Sequence, residues 1–166
     1  SDPHVPWLLW WGLESKAISD RDHVLEWFVR PETWKSGLAR EDAARLVRRY
    51  AAEGTAAGYE SCRRLWSAAP EDRREPLLAA LHQGLTERSR GLPSVGSRGL
   101  FDALAPVAEE SASRPARTFE PVAGKLRDMI LAEWQTRPDD ALRSRLALEA
   151  GLEEPYARLL GGLRAE

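Results

Sequence analysis

Three tryptophans stand within five positions near the start of the chain, at Trp7, Trp10 and Trp11, and a glutamate follows at Glu14. Spacing of i, i+3, i+4 and i+7 places all four on one face of a helix. Indole faces attract cations, and a carboxylate on the same face can hold an ammonium or a hydroxyl group. One reading of Trp7, Trp10, Trp11 and Glu14 is therefore a small-ligand or carbohydrate-binding face, with Trp10, Trp11 and Glu14 as its ligand-binding residues. The plainer reading is a packed aromatic core in which Glu14 pairs with an arginine such as Arg48 or Arg49, because aromatic stripes are commonly core and buried carboxylates are commonly paired. The plainer reading takes precedence.

Other chemistry finds less to work with. His4, His23 and His82 are scattered over separate segments, with no pair at i and i+4 of the kind that binds metal from one helix. Cys62 is the single cysteine, which excludes an intramolecular disulfide and a cysteine-rich metal site. Gly96-Ser97-Arg98-Gly99 lacks the Gly-x-Ser-x-Gly spacing of a serine nucleophile. The same glycine-rich stretch has no Walker lysine, so a phosphate cradle is not indicated. Arg45, Arg48, Arg49, Arg63 and Arg64 are interleaved with Glu41, Asp42, Glu53 and Glu60, the pattern of a solvated, salt-bridged face. No catalytic, cofactor-binding or metal-binding set emerges, and the chain reads as a non-enzyme.

The elements that would position these residues are helical throughout. Val5 to Ala17 is apolar nearly all round, which predicts a helix enclosed by others, with Asp2 and Pro3 as its cap and first turn. Val24, Leu25, Trp27 and Phe28 recur at helical spacing until Pro31, and Trp34 anchors the turn from Pro31 to Gly37. Arg40 to Glu53 predicts a third helix, with Ala43, Leu46, Val47 and Tyr50 on its apolar face and Gly54 as its stop. Thr55 caps a fourth with Tyr59, Cys62, Leu65 and Trp66 inward, closed by Pro70. Leu77, Leu78, Leu81 and Leu85 mark a fifth between about Asp72 and Arg90.

Gly91 to Gly99 reads as a break, with the linker proper at 92–99. A helix from about Arg98 to Glu110 follows, then a second linker from Ser111 to Thr118. The longest helix of the second half carries Phe119, Val122, Leu126, Met129, Ile130 and Trp134 and stops at Pro138. Two short helices end the chain, through Leu142, Leu146 and Ala150 to Gly151, and through Tyr156 to Leu163. The expected organisation is a helical half at 1–91 and a second at 100–166, packed as one domain. No stretch alternates as a half-buried strand does. Nine short helices suit an all-α chain of stacked antiparallel pairs, a HEAT/armadillo-like α-solenoid segment, better than a four-helix bundle. The offset between Arg64-Leu65 and the similar Arg145-Leu146 is close to two units of the ~40–47 residues typical of such repeats.

The totals narrow the partners. With 166 residues the chain supports one domain with a core. Lys and Arg number 24 against 26 Asp and Glu, for a formal charge of −2, and no basic surface accumulates, so nucleic acid is not the expected partner. The apolar run at the front is about half the roughly 20 residues that cross a bilayer, so no transmembrane segment is expected. The chain opens SDPHVPW with no methionine, which reads as a piece of a longer protein.

Several segments together resemble one family. DPHVPWLLWWGLESKA, DRDHVLEWF, LVRRYAAEGT and RPDDALRSRLALEAGLEEPYARLL are similar to the HEAT-like helical region of large multidomain proteins of planctomycetes and related bacteria. There the region lies between a dehydrogenase-type β-propeller and a c-type cytochrome domain. The resemblance covers most of residues 2–91 and 133–163. It implies an exported, periplasmic-type protein in which this segment spaces or docks redox domains, with protein or neighbouring domains of the same chain as partners. No Cys-x-x-Cys-His for haem attachment is present, and no ligand residue carries over from the family.

Overall fold

The computed structural model of the chain describes residues 5–89 and 121–163. Within them the fold is all-helical: α1 at Val5–Lys16, α2 at Arg21–Val29, α3 at Gly37–Glu53, α4 at Ala56–Ala68, α5 at Arg74–Ser89, α6 at Gly124–Thr136, α7 at Ala141–Glu149 and α8 at Glu154–Leu163. Short 3-10 turns at Pro31–Lys35 and Glu71–Arg73 precede α3 and α5. The expected Asp2 cap, the linker at 92–99, the helix at Arg98 to Glu110 and the linker at Ser111 to Thr118 lie outside the described residues.

Helix ends follow the local chemistry. The Ser36 side chain accepts a hydrogen bond from the Ala39 N–H and Thr55 accepts one from the Gly58 N–H at 3.1 Å, each satisfying one of the N–H groups left over in a first turn. Gly54 ends α3 at φ +71°, a left-handed conformation that costs glycine little. Asp140 caps α7, accepting from the Arg143 N–H at 2.9 Å. Two boundaries fall later than the sequence predicts. α5 starts at Arg74 after a 3-10 turn, and α6 starts at Gly124, so Val122 packs into the core from the preceding extended segment.

Packing arranges the helices in two rows. α3 neighbours α5 and α5 neighbours α7, while α2 neighbours α4 and α4 neighbours α6; α3 with α4 and α6 with α7 join the rows. One apolar cluster runs through all of them, including Leu46 and Tyr50 of α3, Leu65 of α4, Leu81 of α5, Ile130 of α6 and Leu146 of α7. Backbones meet closely where glycine permits. A Cβ on Gly58 would stand 2.5 Å from the Tyr50 carbonyl oxygen, and one on Gly84 would stand 2.3 Å from that of Arg48. α4 and α5 therefore rest on the main chain of α3.

A buried cation fastens the second half. Arg143 of α7 is 3% exposed and donates to both carboxylate oxygens of Glu75 of α5, at 3.1 and 2.8 Å. Glu133 of α6 and Asp140 lie at 3.6 and 3.5 Å. Three helices thus share one guanidinium. A second tie joins α5 to α7, where Thr86 and Glu149 share a hydrogen bond at 2.7 Å.

The expectation that α1 is an enclosed core helix is corrected. Among the described residues α1 packs chiefly on α2 and α3, at the end of the rows, so two main neighbours must serve a helix that is apolar all round. Trp10 and Ala17 are buried and Leu13 is half-buried, whereas Trp7, Leu8, Leu9 and Trp11 are exposed. Burial follows the number of neighbours and not the hydrophobicity of the segment.

Candidate functional site

The exposed side of α1 continues into a groove. Leu8, Leu9 and Leu13 of α1 form one wall, Val24 and Trp27 of α2 the other, and Leu38 and Ala39 of α3 close one end. The volume is about 690 Å³. Lys16, Asp20, Glu26 and Arg30 stand around it, and none of the four has an ion-pair partner among the described residues.

Local structure holds the groove's α2 wall in place. The Trp27 ring meets Phe28 edge-on at 5.0 Å, and Phe28 meets Trp34 edge-on at 6.0 Å. The Trp34 indole N–H donates to the Phe28 carbonyl at 2.8 Å and the Thr33 hydroxyl to the Trp27 carbonyl at 2.7 Å. The first satisfies a carbonyl in the last turn of α2, and the second joins the Arg30 N–H, which donates to the same Trp27 carbonyl at 3.4 Å. Opposite, the Tyr50 hydroxyl donates to the Ala17 carbonyl at 2.8 Å, tying the end of α1 to α3; burial pushes that phenol up to about 12.

A smaller cleft of about 220 Å³ opens between α1, α3 and α5, lined by Trp7, Trp10, Arg45, Arg48, Arg49 and Glu87. Its charges are paired. Arg48 holds Glu87, Arg49 holds Glu14 at 3.3 Å, and Arg45 holds Asp42 at 3.0 Å. The Arg45 guanidinium also sits over the rings of Trp7 and Trp10, 5.2 and 5.5 Å from their centroids. Burial pushes the Glu14 carboxyl above its ordinary value, with the Arg49 cation pulling the other way, and Asp42 is raised for the same reason against the pull of Arg45.

The residues that the sequence places on one helical face are therefore parted. Trp10 is buried and lines the small cleft with Trp7, Glu14 is tied to Arg49 beside it, and Trp11 is exposed outside the cleft. The expected pairing of Glu14 with Arg48 or Arg49 is met by Arg49. Trp34 is buried. His23 lines the large groove, and His82 stands on α5 with its Nε2 3.7 Å from Glu149. Cys62 is buried, its thiol pushed up by burial and donating to the Val47 carbonyl at 3.4 Å. Among the described residues no group of three or more His, Cys, Asp or Glu is placed to hold a metal ion, and no helix is long and apolar enough to cross a membrane.

A helix enclosed by others, as the Val5 to Ala17 stretch predicts, would leave no groove along Leu8, Leu9, Leu13 and Trp27. The signal was present in α1 itself, which is apolar on more sides than two neighbours can cover. Comparison with protein-family profiles, with curated proteins and with solved structures finds no match for this chain.

Proposed function

We propose that this chain is a non-catalytic helical scaffold whose α1–α2 end docks another protein surface, either a neighbouring domain or a separate partner. The observation that carries this reading is the uncovered apolar face: Leu8 is 60% and Trp11 57% exposed, beside a groove walled by leucine and tryptophan. The largest contiguous apolar patch on a protein surface is often a site of interaction. The two rows of alternating helices support a HEAT-like α-solenoid reading, because such stacks expose their end helices to whatever continues or caps them. The resemblance to the helical region of planctomycete-type proteins adds a setting, an exported redox-type protein in which this segment mediates contacts between domains.

The small-ligand or carbohydrate reading of Trp7, Trp10, Trp11 and Glu14 carries less weight. Arg45 already covers the Trp7 and Trp10 rings, and Glu14 already has its cation.

A photoreactive benzoylphenylalanine in place of Trp27 tests the docking reading in cells that make the protein. Irradiation is expected to give a discrete cross-linked protein adduct from that position and none from the same probe in place of Arg145, which is exposed on α7. Absence of an adduct at position 27, or equal adducts at both, overturns it.

A further inference from the structure

We infer that the occupant of the α1–α2 face is a second copy of this chain, joined through an antiparallel pairing of the two α1 helices that cross at Gly12. The inference rests on the reading of this face as a docking surface, and it names the partner.

Area is the first ground. Leu8, Leu9, Trp11 and Trp27 each leave roughly half of their surface exposed, and Leu38 somewhat less; Trp7 is outside this patch, its ring turned to the small cleft under Arg45. With an aromatic side chain carrying on the order of 200 Å², the patch amounts to about 400–450 Å² of apolar surface. A standard interface covers about 800 Å² per partner, of which roughly 56–65% is apolar. One such patch is therefore the apolar share of one side of a standard interface, and a copy of the chain supplies the other side.

Charge is the second. An isologous contact lays a surface on itself, so a patch with one sign of charge would repel its mate. The middle of this one, Leu8, Trp11, Gly12 and Ser15, is uncharged. Its rim carries two cations, Lys16 and Arg30, and two anions, Asp20 and Glu26, each without an ion-pair partner among the described residues. A two-fold mate brings one acid for every base.

Surface relief is the third. Leu8, Trp11, Gly12 and Ser15 follow one another at i, i+3, i+4 and i+7, the outward stripe of α1. A Cβ on Gly12 would meet nothing within 4 Å, so the stripe is lowest at its centre. The Ser15 hydroxyl donates to the Gly12 carbonyl at 2.8 Å and can be covered without leaving a donor unpaired. Two α1 helices crossing there approach closely, with Trp11 of each copy flanking the contact.

Sedimentation velocity on the 166-residue chain from about 1 to 100 µM, the range in which interfaces of modest affinity associate, reads the stoichiometry. The expected result is a monomer–dimer equilibrium. Trp11→Glu is expected to raise its dissociation constant at least tenfold with an unchanged far-UV circular dichroism spectrum, since Trp11 is exposed in the monomer. Gly12→Cys is expected to cross-link to a dimer under mild oxidation, and the unchanged chain is not, because its one thiol, Cys62, is buried. A monomer throughout, growth beyond two copies, or a Trp11→Glu variant that associates as before overturns the inference. Should the chain prove monomeric while the probe at position 27 captures a different protein, the second copy is ruled out and the docking reading stands. Loss of both dimer and adduct removes both.

Discussion

Replacing Gly84 by alanine tests whether α5 rests on the backbone of α3. The added Cβ would stand 2.3 Å from the Arg48 carbonyl oxygen and 2.7 Å from the Ala51 Cβ. The first obstacle is main chain in mid-helix and cannot rotate aside, so the two helices must part by about an ångström, the gap to ordinary contact near 3.4 Å. Overpacking of this kind costs about 1–3 kcal/mol. Alanine regains about 1 kcal/mol through its better helix propensity, leaving a net loss of up to about 2 kcal/mol. For a chain of this size that lowers Tm by up to about 8 °C. Gly12→Ala is the matched control, since the same chemical change there meets open space and should stabilise by up to about 1 kcal/mol. Both are best made in the Trp11→Glu background, so that association does not enter, and compared by urea unfolding followed at 222 nm. A Gly84→Ala variant indistinguishable from Gly12→Ala refutes the close approach of α5 to α3.

Arg143→Met should cost about 1–3 kcal/mol, between the values for an exposed and a buried ion pair because Glu75 is half in water. Hydrogen exchange is expected to rise in α6 and α7 before it rises in α3 and α4. The hydrogen bonds from Arg143 hold the Glu75 carboxyl below its ordinary 4.5, and the Arg143 backbone N–H does the same for Asp140 below 3.8. Their contributions are therefore complete above those ordinary values and fade as pH falls through the lower folded ones. Urea midpoints measured from pH 6 downward should fall less steeply for Arg143→Met than for the native chain. Cys62 should react with a thiol reagent only as fast as the α3–α4 contact opens, because its thiol is buried and raised; labelling at the rate of a free thiol in native buffer would place it outside the core.

Much of the fold was legible from local signals. Thr55 as a cap, Gly54 as a stop and the apolar faces of α3, α4 and α5 are decided within a turn or two of the residue concerned, and the sequence contains everything they need. Glu14 with Arg49 was legible in kind, because a carboxylate on an apolar helix has few alternatives to an arginine. The groove was not, because Trp7 to Trp11 states how apolar α1 is and nothing about how many helices stand beside it. Gly84 and Arg143 were missed for related reasons. A glycine inside a helix looks like a weakness until the carbonyl opposite is known, and one arginine among many gains its meaning only when α5, α6 and α7 converge on it.

The two glycine contacts on α3 bear on how such a chain tolerates change. Where helices are kept apart by layers of side chains, every exchange of leucine for valine shifts their spacing a little, and the shifts add along a stack. Here Gly58 and Gly84 set the spacing against carbonyl oxygens of α3, and those oxygens are common to every residue type. Core side chains around Leu46, Leu65 and Leu81 can therefore drift among apolar alternatives while α4 and α5 keep their distance from α3, and the end face presented by α1 and α2 keeps its geometry. The sequence freedom of the core and the rigidity of the frame come from the same two missing side chains.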